Sequence, residues 1–114
     1  MTTIYHNPSC SKSRACHTIL MDVGKDVKVI NYKQTPFTEE TLKELLTLLK
    51  MKPIELVRTN EAIWKEKFKG KKLASKTIIR AMLKYPQLIE RPIVVKGDMA
   101  IIARPPEKVL ALLS

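Results

Sequence analysis

At 114 residues, 45% of them hydrophobic, the chain is sized for one domain with one real core, and it contains no low-complexity tract. No apolar run approaches membrane-spanning length, and the N-terminus lacks the basic-then-apolar layout of a signal peptide, so a cytoplasmic protein with no membrane partner is expected. Lys and Arg number 21 against 11 acidic residues, and the resulting charge of +10 favours an anionic partner: an oxyanion, an acidic peptide surface or nucleic acid. Two cysteines do not make a disulfide framework, and a core of this size needs none.

Thr2 to Tyr5 reads as a short strand, followed by the turn signal His6-Asn7-Pro8-Ser9. Cys16, Ile19, Leu20 and Val23 then recur at helical spacing, and Gly24 sits where a C-terminal cap belongs. Val27, Val29, Ile30 and Tyr32 form a β-branched, aromatic-ended run that predicts a second strand. Strand, helix and strand in about thirty residues make a βαβ unit, whose two strands are parallel with a right-handed crossover.

The next helix opens at Thr38, with Glu39 and Glu40 in its first turn, where acidic side chains suit the helix dipole. Leu42, Leu45, Leu46 and Leu49 form its buried stripe, and Pro53 lies beyond its end. Residues Ile54 to Leu73 are irregular, with short helical pieces. Ser75 caps a further helix bearing Ile78, Ile79, Met82 and Leu83, which stops before Pro86. Pro92-Ile93-Val94-Val95 and Met99-Ala100-Ile101-Ile102, joined through Lys96-Gly97-Asp98, predict an antiparallel hairpin. A last helix begins near Pro105-Pro106 and buries Val109, Leu110, Leu112 and Leu113. The order β-α-β, helices, β-β-α gives an α/β fold with a four-stranded mixed sheet and flanking helices. A thioredoxin-like arrangement fits it, as a single domain over residues 1–114 with a helical insertion at about 38–85.

Cys10 lies between the first strand and the first helix, in His6-Asn7-Pro8-Ser9-Cys10-Ser11-Lys12-Ser13-Arg14. A helix N-terminus offers unpaired N–H groups and partial positive charge, which stabilise a thiolate and lower its pKa. Lys12 and Arg14 add charge, and the Ser11 and Ser13 hydroxyls can donate hydrogen bonds. The alternative, a small buried cysteine at a helix start, fits poorly with polar neighbours on both sides. Cys16 instead keeps register with Ile19 and Leu20 and belongs to the buried stripe. Along a helix it stands roughly 9 Å of rise from Cys10, beyond the Cα separation of about 7 Å that a disulfide tolerates. The position three after Cys10 is Ser13, so this is a monothiol site, resolved by an external thiol such as glutathione or by a partner protein. His6 either tunes the thiol or simply ends the first strand, and His17 is a partly exposed helix residue. No zinc-type spacing is present, and no bound cofactor or metal is expected.

Four segments together resemble the glutaredoxin-coupled arsenate reductase family: His6-Asn7-Pro8-x-Cys10-Ser11-Lys12-Ser13-Arg14, Val57-Arg58-x-Asn60-Glu61, Arg91-Pro92-Ile93-Val94-Val95 and Ala103-Arg104-Pro105. They occur in family order and span nearly the whole chain. The resemblance implies that Cys10 attacks arsenate to form a thiol–arsenate adduct, with glutathione and then glutaredoxin completing reduction to arsenite. It implies that Arg58, Arg91 and Arg104 surround the oxyanion, a role suited to planar guanidinium forks. It also implies a cis peptide between Arg91 and Pro92 beside the cysteine. Glutathione would then be a co-substrate, and a monomer is expected.

Two rival readings compete with the enzyme. The sequence also resembles Spx-type regulators, which share the fold and bind RNA polymerase, but their Cys-x-x-Cys switch is interrupted here by Ser13. Lys65, Lys67, Lys69, Lys71 and Lys72, interleaved with Trp64 and Phe68, have the composition of a nucleic-acid patch. Such a stretch is more often a solvated surface whose aromatics pack inward, and nucleic acid ranks well below the enzyme as a reading.

Overall fold

Strand β1 (Thr2–His6) lies inside a four-stranded sheet, between β2 (Val27–Asn31) and β3 (Ile93–Lys96), with β4 (Met99–Ile102) beyond β3. The computed structural model describes residues 2–23 and 26–113. Helix α1 (Ser11–Val23) carries the chain from β1 to the parallel strand β2 (Val27–Asn31). On its other side β1 pairs antiparallel with β3 (Ile93–Lys96), which turns through Gly97 (φ 61) and Asp98 into β4 (Met99–Ile102). This is the expected thioredoxin-like mixed sheet with flanking helices.

Two compact units share the chain: residues 1–36 with 91–114, and residues 37–90. In the first, Ile4 pairs with Val29 on one side and Val94 on the other. Ile4, Val94 and Ala103 form a buried cluster with Cys16 and Leu20 of α1 and with Val109 and Leu112. The last two belong to α5 (Val109–Leu113), entered through a 3-10 turn at Pro106–Lys108. Each large aliphatic side chain so buried contributes about 2 kcal/mol. Leu20→Ala would remove one and leave a cavity, at a cost of about 2–5 kcal/mol.

The second unit holds α2 (Glu39–Leu49), α3 (Ala62–Lys67) and α4 (Ser75–Lys84). The Thr38 hydroxyl accepts the Thr41 N–H at 3.1 Å, the cap expected at that position. A single antiparallel bridge between Val57 and Ile89 is flanked by Arg58 N–H to Leu88 C=O at 2.7 Å and Glu90 N–H to Leu56 C=O at 2.9 Å.

Several details differ from expectation. Ala74, not Ser75, is the cap of α4; its extended backbone starts the helix one residue early and leaves Ser75 inside the first turn. Val23 is exposed and Ile19 only half-buried, so the buried face of α1 is Ser13, Cys16 and Leu20. Leu49 and Leu83 are also half-buried. Leu110 is exposed because α5 turns Val109 and Leu112 inward, and the next position faces away. Gly24 lies outside the described residues.

Candidate thiol site

β1 alternates faces, so His6 shares the buried face of Thr2 and Ile4, beneath the start of α1. There the fully buried Ser13 hydroxyl accepts the Asn7 N–H at 2.9 Å and pairs with His6 Nδ1 at 2.6 Å. Asn7 in turn accepts the Ser9 N–H on Oδ1 at 3.0 Å, and its carbonyl accepts the Cys10 N–H at 3.0 Å. Arg14 donates from Nη1 to the Pro8 carbonyl at 2.9 Å. The segment 6–14 is thus tied at both ends and in the middle, and it delivers Cys10 to the helix start, where the Cys10 carbonyl accepts the Arg14 N–H at 3.0 Å.

Cys10 is half-buried. Burial raises its pKa, but the opposing influences win and the thiol falls below its ordinary value. These are the Ser13 backbone N–H, a hydrogen bond from the Arg91 side chain, the Lys12 backbone N–H and the Arg91 charge. Six residues along, Cys16 has no exposed surface, and burial pushes its thiol up to about 11. Both cysteines are free. His6 is held below its ordinary value by burial, then by the charges of His17 and Arg14. Its ring lies 5.1 Å from that of His17.

The residues singled out in the sequence take different places. Cys10, Ser13, His6 and Arg91 come together. Ser13 serves the thiol through its backbone N–H, while its hydroxyl is committed to His6 and Asn7. Ser11 is exposed, and Arg14 braces the Pro8 turn. The peptide bonds Arg91-Pro92 and Arg104-Pro105 are both cis. The Ala103 N–H donates to the Pro92 carbonyl at 3.0 Å, which sets the backbone leading into Arg104 beside that following Arg91. Arg58 belongs to the helical unit, where Nη1 meets Glu61 at 3.5 Å and Nε meets Glu90 at 3.4 Å. Lys12 and Asn7 act through the backbone or a turn, and only the Asn-Pro dipeptide hinted at the second.

A half-buried thiol of lowered pKa, beside a guanidinium and two N–H donors, has the surroundings of a nucleophile and of an anion site. Among the described residues no group of His, Cys, Asp and Glu is placed to hold a metal ion, and no helix is long and apolar enough to cross a membrane.

Residues 5–112 match the ArsC family. The Escherichia coli (strain K12) protein YfgD is 43% identical over 111 residues, covering 96% of this chain and 93% of its own. The arsenate reductase of Haemophilus influenzae is 35% identical over 112 residues, covering 96% and 97%. The structure of an arsenate reductase from Vibrio cholerae superposes with a TM-score of 0.91 at 40% identity, covering 96% of this chain and 95% of that one.

Proposed function

Because the chain belongs to the ArsC family, we propose that it is a monothiol arsenate reductase in which Cys10 is the nucleophile. What supports this reading is the seat of the half-buried Cys10 at the start of α1, where the Ser13 and Lys12 N–H groups and Arg91 draw its pKa down. In the proposed reaction the Cys10 thiolate attacks arsenic, an S–As bond forms and one arsenate oxygen leaves as water. The thiolate of glutathione then attacks the Cys10 sulfur. The S–As bond breaks, its electron pair stays on arsenic, and arsenite leaves behind a Cys10–glutathione disulfide. Two thiols have lost the two electrons that arsenic gained. Glutaredoxin reduces the disulfide and restores the thiol.

Arg91 has two tasks in this scheme: it stabilises the thiolate at rest and the arsenate oxygens during attack. Arg104, on the neighbouring backbone, is proposed as a second oxyanion ligand. The role expected of Arg58 rests on the likeness of its segment to the family, and Arg58→Ala tests it alone. Ser13 in place of a second cysteine makes the glutathione step necessary, because no thiol stands at the usual resolving position.

Arsenite production by the purified chain, measured with glutathione and a competent glutaredoxin, is the direct test. Turnover should require both. No turnover under these conditions would remove arsenate as substrate. A glutathione adduct trapped on Cys10 and seen by mass spectrometry would retain the thiol chemistry with another oxyanion or disulfide as its target.

A further inference from the structure

The positive charge of the chain is concentrated in one stretch. Residues 62–85 hold Lys65, Lys67, Lys69, Lys71, Lys72, Lys76, Arg80 and Lys84 against Glu66 alone, eight cations less one acid, or +7 of the total +10. The ion pairs seen among the described residues, Lys43–Glu39, Arg58–Glu61 and Arg58–Glu90, include none of these eight. Lys76, Arg80 and Lys84 recur every four residues and share one face of α4, where like charges repel. A bound polyanion relieves that repulsion.

The charges also surround a concavity. The end of α3, the residues after it and one side of α4 line a wide, open depression of about 580 Å³ that lies wholly within the helical unit. Its volume falls in the range of small-molecule sites, about 300–1,000 Å³, and its wide mouth suits a ligand held mainly by charge at the surface. Its wall carries Lys67, Lys71, Arg80 and Lys84, all exposed, beside the half-buried rings of Phe68 and Tyr85. Phe68 stacks on the buried Trp64 at 5.1 Å and meets Tyr85 edge-on at 6.3 Å, so the aromatic wall is anchored in the core. Four cations exceed what a single carboxylate needs and suit a chain of phosphates, with Arg80 supplying a bidentate fork and the lysines compact charge. One face of Phe68 is taken by Trp64, and Lys84 Nζ lies over the Tyr85 ring, 5.5 Å from its centroid, so a flat heterocycle would stack on the remaining ring surface with Lys84 turned to a phosphate. Glu66, the one carboxylate of the wall, can accept from a sugar hydroxyl or an exocyclic amine.

We propose that this cleft binds a nucleoside di- or triphosphate, with the phosphates among Lys67, Lys71, Arg80 and Lys84 and the base against Phe68 and Tyr85. The site shares no residue with the thiol centre and stands whether or not arsenate is the substrate.

Calorimetric titration of the full chain with ADP, adenosine and pyrophosphate at low ionic strength tests it. ADP should bind one-to-one, with each fragment weaker by about tenfold or more. Lys71→Glu and Arg80→Glu, both at exposed positions, should each weaken ADP by about tenfold or more, with circular dichroism unchanged. Tyr85→Leu, which also frees Lys84 from the ring beneath it, should weaken ADP more than pyrophosphate, and Cys10→Ser should bind ADP as the parent does. Absence of saturable ADP binding, or binding indifferent to both charge reversals, overturns the proposal. Pyrophosphate binding as tightly as ADP overturns the nucleoside part of it. A single-stranded oligonucleotide that displaces ADP and depends equally on Lys65, Lys69 and Lys72 replaces the small-ligand site with an extended nucleic-acid surface.

Discussion

The residue just before α1 and the second turn of that helix carry the same side chain in opposite states. At the helix start, N–H groups that no helical carbonyl can reach point at Cys10, and Arg91 approaches from a distant segment. At Cys16 the corresponding N–H groups are already used within the helix, and the neighbours are Ile4, Leu20 and Val94. One thiol is lowered and the other raised. Place at the helix start for one and burial in the core for the other, rather than residue type, set the two thiols apart.

Exchange of each cysteine is the largest test of that contrast. Cys10→Ser should reduce arsenite formation to background, whereas Cys16→Ser should keep turnover and lose stability of about 1–3 kcal/mol, from placing a hydroxyl in an apolar core; coupled turnover and denaturant melts read the two effects. Next comes Arg91→Ala, which should lower kcat/KM by about 10²-fold or more, as expected for removing a donor to a reacting oxyanion. It should also move the pH profile of Cys10 alkylation upward. The direction follows from the loss of the Arg91 hydrogen bond and charge, both of which lower the thiol's pKa. By linkage, a thiol whose pKa is depressed by folding stabilises the native state above the unfolded thiol's pKa. That contribution is lost as pH falls through the folded value.

Ser13→Ala sharpens the comparison further. It should cost about 1–3 kcal/mol in a denaturant melt, because the buried His6 Nδ1 and Asn7 N–H lose their partner. The Cys10 pKa should nevertheless remain low, since Ser13 acts on it through the backbone. A rise of that pKa to the ordinary thiol range would reassign the effect to the hydroxyl. The smallest expected effect belongs to His6. Its pKa in the folded state lies below the ordinary value of 6.5, so the unfolded chain takes up a proton first as pH falls. Stability should decline gently below that pH until the folded pKa is passed, and less so in His6→Asn.

Much of this was legible in local pattern. The βαβ unit, the hairpin through Gly97 and the Thr38 cap all follow from periodicity and turn chemistry acting over a few residues. The place of Cys10 at a helix start was legible for the same reason, since strand end, turn and helix start are adjacent in sequence. What escaped depends on direction or distance. Arg14 is near Cys10 in sequence, yet its side chain turns back to Pro8. The Ser13 hydroxyl faces the sheet because its helical position coincides with the buried side of α1. Arg58 meets Glu61 three residues on, a spacing that can be read, but also Glu90, which only the Val57–Ile89 bridge brings near. Ser75 has the composition of a cap, but the extended backbone at Ala74 decided the matter.

Ser13 has one more consequence. It occupies the position where a dithiol enzyme would keep its second sulfur, yet it has no accessible surface, and its oxygen serves two partners at once. A cysteine there would bring a bulkier atom and a weaker acceptor into a sealed space, and it would loosen the loop that presents Cys10. Conversion to a self-resolving enzyme is therefore not one codon away: the strand end and turn would have to be rebuilt along with it. Under the proposed chemistry, reliance on a borrowed thiol is a property of how this loop is packed, not of one replaceable side chain.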